Sequence, residues 1–319
     1  MDNDKRRKMR ILFNKKMLRH NLSAHGEGDY RLKDFFNWPE DVELNGQDFL
    51  SLVYQDKYIK KIKKACENRN ILAEVNLSPD SLEATYLAVG LSVLAAEQNN
   101  FAVVRPPGHH AGSNQAAGFC LFNNIAIATQ KLVDDGKKVC LIDIDGHHGN
   151  GTQEIFYKSD KVLYCSIHQQ SAYPGTGLVK EIGEGVGTGY NLNLPIAPGS
   201  GDDIFLSAIV WLLPFVKKFS PDVVGVSAGF DGYYQDELLE LNYTLNSYFE
   251  LGKILSQNFK NIFAVLEGGY HQNIKKCIDV FISGVGEKEV KVNEKKTDSS
   301  SQCLNIFNKN IAALKKLLR

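Results

Sequence analysis

Five short apolar runs recur along the chain, and each leads into a polar, glycine-containing motif. The runs are Phe101 to Val104, Val139 to Ile144, Val162 to Ile167, Val223 to Ser227 and Ile262 to Leu266. They are rich in β-branched or aromatic residues and alternate with segments of helical period, so they read as buried strands of a mostly parallel sheet in an α/β protein. Two crossover helices stand out. Ser81 to Glu97 follows Ser78-Pro79 and repeats Leu82, Leu87, Leu91 and Leu94 on one side; Asp202 to Phe219 opens on two acids and carries Phe205, Ile209, Leu212 and Val216 near one face. Pro214 is expected to kink the second helix.

The motifs after the strands are RPPGHH with His109 and His110; IDIDGHHGNG with Asp143, Asp145, His147, His148 and Asn150; HQQSAYPGTG; AGFDG with Asp231; and EGGY with Tyr270. Ligands of open α/β sheets bind outside the carboxyl ends of the strands, so one topology gathers all five motifs into one crevice.

The rest of the chain sets bounds. With 37 Lys+Arg against 37 Asp+Glu the formal charge is zero, which removes the general field that would hold nucleic acid or an acidic membrane face. No stretch reaches the roughly 18 apolar residues of a membrane helix, so a soluble protein with a small-molecule or peptide site is expected. The basic stretch over residues 1–10 reads as a solvated arm, and 22–48 as a long ordered loop. Residues 286–302 are charged and Ser-rich and are expected to be a mobile excursion. Beyond them Leu304, Phe307, Ile311, Leu314 and Leu318 mark an amphipathic helix over 303–319 that docks on the domain's own surface. The six cysteines form no C-x-x-C pair, so free thiols in a reducing compartment are expected: the cytoplasm, or the nucleus in a eukaryote.

Asp143, Asp145 and His147 alternate with Ile144 and Gly146, and a period of two puts the three polar side chains on one side of an extended segment. Asp145 and His147 can then grip one cation, with strand-end Asp231 as third ligand. Two carboxylates and one imidazole leave an open position, as at a catalytic zinc site; Fe²⁺ suits the same donors. A two-metal hydrolase of the arginase kind needs more carboxylates, and after Asp231 the next is Asp236.

Taken together, RPPGHH, GFCLFNN, DIDGHHGNG, PGTG, SAGFD and LEGGY resemble the zinc-dependent histone deacetylase and acetylpolyamine amidohydrolase superfamily, in its class II-like, prokaryotic-type form. The resemblance implies a single arginase-like α/β domain over 11–285. It implies Asp145, His147 and Asp231 as zinc ligands, His110 as general base then acid, and His109 paired with Asp143 as its electrostatic partner. Tyr270 is implied as oxyanion donor. Asn150 supports His110 and raises its pKa less than a carboxylate would. Phe119, after Gly118, and Tyr173 are implied as tunnel walls, Arg31 as lining an acetate channel, and Asp143, Asp145, His147, Ser166 and Ile167 as holding a structural K⁺.

Two positions depart from the family pattern. Gly146 stands where an apolar residue is usual, and Glu237 precedes the rim residue Leu238 where many relatives carry Pro. Leu238 suits a lysine substrate, whereas Glu74 and Glu237 could meet the second cation of an acetylpolyamine. The expected partner is thus an acylated lysine in a peptide or protein, or an acetylpolyamine, with a catalytically silent acyl-lysine binder as third reading. No oligomeric state follows from the sequence.

Overall fold

The computed structural model describes residues 9–20 and 26–318. The basic arm over 1–8 and His25 lie outside the described residues.

A seven-stranded parallel sheet forms the centre, built from β1 (Ile11–Leu12), β4 (Phe101–Ala102), β5 (Val139–Asp143), β6 (Val162–Gln169), β7 (Asn191–Ile196), β8 (Val223–Ala228) and β9 (Ile262–Leu266), in the order β1-β4-β9-β8-β5-β6-β7. A separate hairpin pairs β2 (Ile71–Leu72) with β3 (Val75–Asn76). The helices are α1 (Asp56–Glu67), α2 (Pro79–Gln98), α3 (Asn124–Asp134), α4 (Asn150–Phe156), α5 (Asp202–Phe219), α6 (Leu245–Asn258), α7 (Ile274–Val285) and α8 (Ser301–Leu317). Every residue of β5, β6, β7, β8 and β9 is buried, which is why the runs in β5, β8 and β9 read as near-continuously apolar; β7 instead alternates Asn191, Leu192, Asn193 and Leu194.

The order of the strands matters most for function. The five strands that lead into polar motifs are adjacent in the sheet: β4, β9, β8, β5 and β6. Parallel register aligns their ends, with Asp143 beside both Ser166 and Ser227. All five motifs therefore emerge along one edge.

Several local expectations need correction. Helix α2 has no single apolar face, because Leu87, Ala88, Val89, Gly90 and Leu91 are all buried in succession; it is enclosed by α1, α3 and the sheet. Ser78 caps it through a reciprocal pair with Ser81. The stretch before α8 is tied down and is not an excursion: Glu294 accepts the Tyr233 hydroxyl at 2.6 Å, and Thr297 and Ser299 bond the acids that open α5. Composition missed this because its polar side chains have partners on the domain. Helix α8 packs on β7, burying Cys303, Phe307, Ile311 and Leu314, while Leu304 stays exposed.

Candidate active site

The strand β5 ends at Asp143, so Asp145 and His147 sit in the following turn and not on an extended segment as expected. A relay of backbone bonds replaces strand geometry. The Asp145 amide donates to Asp143 Oδ1 at 3.2 Å and the His147 amide to Asp145 Oδ1 at 2.9 Å. From β8, Asp231 comes in to accept the Gly146 amide at 2.6 Å. One ligand atom from each of Asp145, His147 and Asp231 then lies within 4.8 Å of the others. His147 Nδ1 is 2.6 Å from Asp231 Oδ2.

Two buried carboxylates facing one imidazole are costly without a cation. Burial, joined by repulsion from Asp145, raises the Asp231 pKa to about 7. That crowding of acceptors is what a divalent ion relieves, and the donor set fits one.

Three glycines allow the approach. A side chain on Gly268 would sit 2.6 Å from Asp145 Oδ2 and 2.7 Å from Asp231 Oδ2, and its amide donates to Asp145 at 2.7 Å. Gly269 has φ +113°, a conformation open to glycine, and delivers Tyr270. The departure at Gly146 is compensated: the space a side chain would take is filled by Leu239 and Leu241 from the chain after β8.

The two histidines of RPPGHH are buried and differ in charge. His109 Nδ1 lies 3.2 Å from Asp143 Oδ2, which also accepts the Tyr164 hydroxyl at 2.9 Å. Burial works against its charge, but Asp145 and Asp143 hold its pKa up at about 10. His110 is the opposite case, since burial and then the charge on His109 push its pKa well below the usual range. Its Nδ1 lies 2.8 Å from Asn150 Oδ1. Because that oxygen only accepts, Nδ1 carries the proton and Nε2 is left as a base.

Aromatic rings surround this centre. Phe119 packs edge-on to Tyr270 with centroids 5.8 Å apart, and Tyr173 edge-on to His110 at 5.1 Å. Gly118 has φ +50° and lies where a Cβ would strike both His110 and Tyr173. Beneath Tyr270, the Arg31 guanidinium sits 4.8 Å from the ring centroid. Arg31 is buried and bonded to Gly269 O, Glu267 O and Glu27, so it is no surface ion pair.

The outer positions are less tightly gathered. Leu238 is 50% exposed and flanks Gly26 together with Tyr270. Glu237 is exposed beside it. Glu74 sits at the tip of the β2–β3 hairpin, and the carbonyl of its neighbour Ala73 accepts the Phe119 amide at 3.0 Å. Ser166 bonds His168 Nδ1 at 2.8 Å; Ile167 is buried in β6. His148 turns away to Thr176 and Gln153.

Several contributors carried no sequence signal of their own. Asp236 accepts the Tyr270 amide at 2.6 Å, and Tyr164 reaches Asp143 from the middle of β6. Arg105 and Glu267 stand inside the quoted motifs, where the neighbouring histidines and tyrosine overshadow them.

Comparison with known proteins agrees with this geometry. The model of the histone deacetylase domain matches residues 12–285. A probable deacetylase of Archaeoglobus fulgidus is 37% identical over 68% of this chain and 65% of its own length, slightly under two thirds. Histone deacetylase 8 of Arabidopsis thaliana is 37% identical over 74% of this chain and 69% of its own, and acetylpolyamine amidohydrolase 1 of Pseudomonas aeruginosa is 37% identical over 62% and 60%. The crystal structure of the HDA15 HD domain superposes with a TM-score of 0.86 at 29% identity, covering 98% of this chain and 97% of that one. With five strand-end motifs brought to one edge and the family model spanning nearly the whole sheet, this chain belongs to the histone deacetylase domain family.

Proposed function

We propose that the protein is a zinc-dependent amidohydrolase that removes acetyl or other short acyl groups from lysine side chains of proteins or peptides. The observation that carries this reading is the meeting of Asp145, His147 and Asp231 beside a neutral His110 whose Nε2 is free to take a proton. Zinc held by those three residues would polarise the scissile carbonyl and acidify water; Fe²⁺ is the alternative ion for the same donors.

The chain's own residues do the rest. His110 takes a proton from the attacking water at Nε2 and gives it to the departing amine, so water and amide become acid and amine. Positively charged His109, held by Asp143, offsets charge that builds nearby. Tyr270 donates its hydroxyl to the oxyanion. Burial, opposed by Arg31 and reinforced by Asp145 and Asp231, keeps that hydroxyl protonated. Phe119 and Tyr173 suit a methylene chain between aromatic faces. We further assign Arg31 to the exit of the acid product, and K⁺ to the carboxyl ends of β5 and β6, around Asp143, Asp145, His147, Ser166 and Ile167.

Asn150 gives a direct check on the base. Asn150→Asp places a carboxylate on His110 Nδ1 and favours its charged form, raising the pKa. His110 must be neutral to accept a proton, so the acidic limb of the kcat/KM profile moves upward. An unmoved limb in that profile rules out the pairing.

A second reading, deacylation of an acetylpolyamine, is favoured by one observation at the rim. Ala73 and Glu74 both have positive φ, +51° and +65°, a strained conformation at the hairpin tip, and the Glu74 carboxylate lies close enough to the Tyr173 wall to oppose ionisation of its hydroxyl. A substrate with a second cation would meet it there. Steady-state assays with an acetyl-lysine peptide and an acetylpolyamine, before and after chelation and zinc return, separate the readings. Peptide turnover that needs the metal is expected. No turnover of either substrate with metal bound would leave a silent acyl-lysine binder.

A further inference from the structure

Below the histidines lies a buried cluster of ionisable groups, of which the proposed reaction uses only Arg31. Glu27, Arg31, Arg105 and Glu267 are all buried. Glu27 satisfies both guanidiniums: Arg31 Nη1 at 2.9 Å, and Arg105 Nε and Nη2 at 2.7 and 2.8 Å. Their other bonds go to main-chain carbonyls, Arg31 to Gly269 and Glu267, Arg105 to Met17, His20 and Glu27. Among the described residues, Glu267 therefore has no cation bound to its carboxyl.

What the Glu267 carboxyl does hold is the turn bearing the catalytic histidines. Its Oε2 accepts the Gly108 amide at 2.6 Å and the His109 amide at 3.0 Å. Among the described residues its Oε1 is buried with no hydrogen-bond partner. Around it stand Asp143, the Cys120 thiol and His109. An ionised Glu267 would leave a charged oxygen buried without a partner among the described residues. Burial accordingly raises its pKa to about 7, against the pull of His109 and the two amides.

We propose that Glu267 is a positioning residue acting as a neutral carboxylic acid: Oε2 pins the Gly108-His109 turn, and a proton on Oε1 spares that buried oxygen a charge. The inference rests on the proposed role of His110, which follows His109 directly on that turn. Neutrality is what makes the clamp compatible with the metal site. An acid there fixes geometry without adding charge.

The test compares Glu267→Ala with Glu267→Gln. Alanine frees both amides, and kcat is expected to fall by about 10- to 100-fold, as for other groups that orient a metal site, with KM little changed. Glutamine is uncharged and of the same shape, so it should rescue most of kcat. Two readouts do not depend on activity. Infrared difference spectra of the metal-loaded protein should show a protonated-carboxyl band that is lost in Glu267→Gln. Stability supplies the other: a carboxyl whose folded pKa is raised from 4.5 to about 7 contributes fully below 4.5, and its contribution is lost as pH rises through 7. Wild type should lose thermal stability over that window relative to Glu267→Gln. A glutamine variant as slow as alanine, an absent band, or parallel stability curves overturns the proposal. Full activity in His110→Ala would sink the reading of the base, while the band and the stability curves still report on Glu267.

Discussion

Asp231→Asn is expected to lower kcat/KM by at least about 10³ and to leave the purified protein without stoichiometric zinc. A metal that polarises a carbonyl and activates water supplies several kcal/mol of transition-state stabilisation, and about 1.4 kcal/mol is a factor of ten, so losing it costs three or more powers of ten. Asparagine is the informative replacement, because it keeps an acceptor for the Gly146 amide that Asp231 holds at 2.6 Å. The turn carrying Asp145 and His147 is then retained while one of two anionic ligands is removed. Chelation should produce the same loss in the wild type, and zinc should restore the wild type and not the variant. Metal content and turnover measured on the same sample decide the matter; a variant that keeps bound zinc and a tenth of its activity rules Asp231 out as a ligand.

That test is possible because candidate ligands are legible in the residues alone, and the reason is physical. A parallel strand buried on both faces must be apolar along its length, so the polar residues that follow it mark the strand's end. Ile262 to Leu266 shows this most plainly, since apolar run and strand coincide. The order of strands was not legible. Nothing in the residues says that β4, with RPPGHH, lies beside β9, with EGGY, although that adjacency brings Glu267 under His109. Local pattern also misled where partners come from far along the chain. Residues 286–302 look unable to bury anything, yet Glu294 and Thr297 find Tyr233 and Asp202. Gly146 departs from the family pattern, but Leu239 and Leu241 fill the space a side chain would take. Asp236 carries no motif at all, and its grip on the Tyr270 amide depends on a turn that only the folded chain creates.

Tyr270→Phe should reduce kcat by about 10² to 10³ with KM nearly unchanged, the loss typical of one oxyanion donor. The ring has little freedom to move when its hydroxyl is removed. Its backbone is set by Gly269 at φ +113° and by Asp236, Phe119 packs on its edge, and Arg31 lies under it. Phenylalanine should therefore occupy the same place, and the loss of rate isolates one hydrogen bond to charge that exists only as the reaction proceeds. Because burial holds the hydroxyl protonated well beyond neutral pH, Tyr270 is a donor throughout the working range and does not form the alkaline limb of the rate profile. The variant should still bind an acetyl-lysine peptide, and equilibrium binding to the zinc-loaded protein measures that separately from turnover. Near-full activity in Tyr270→Phe would falsify the assigned role, whereas lost activity together with lost peptide binding would make the tyrosine a wall of the tunnel and not a donor to the oxyanion.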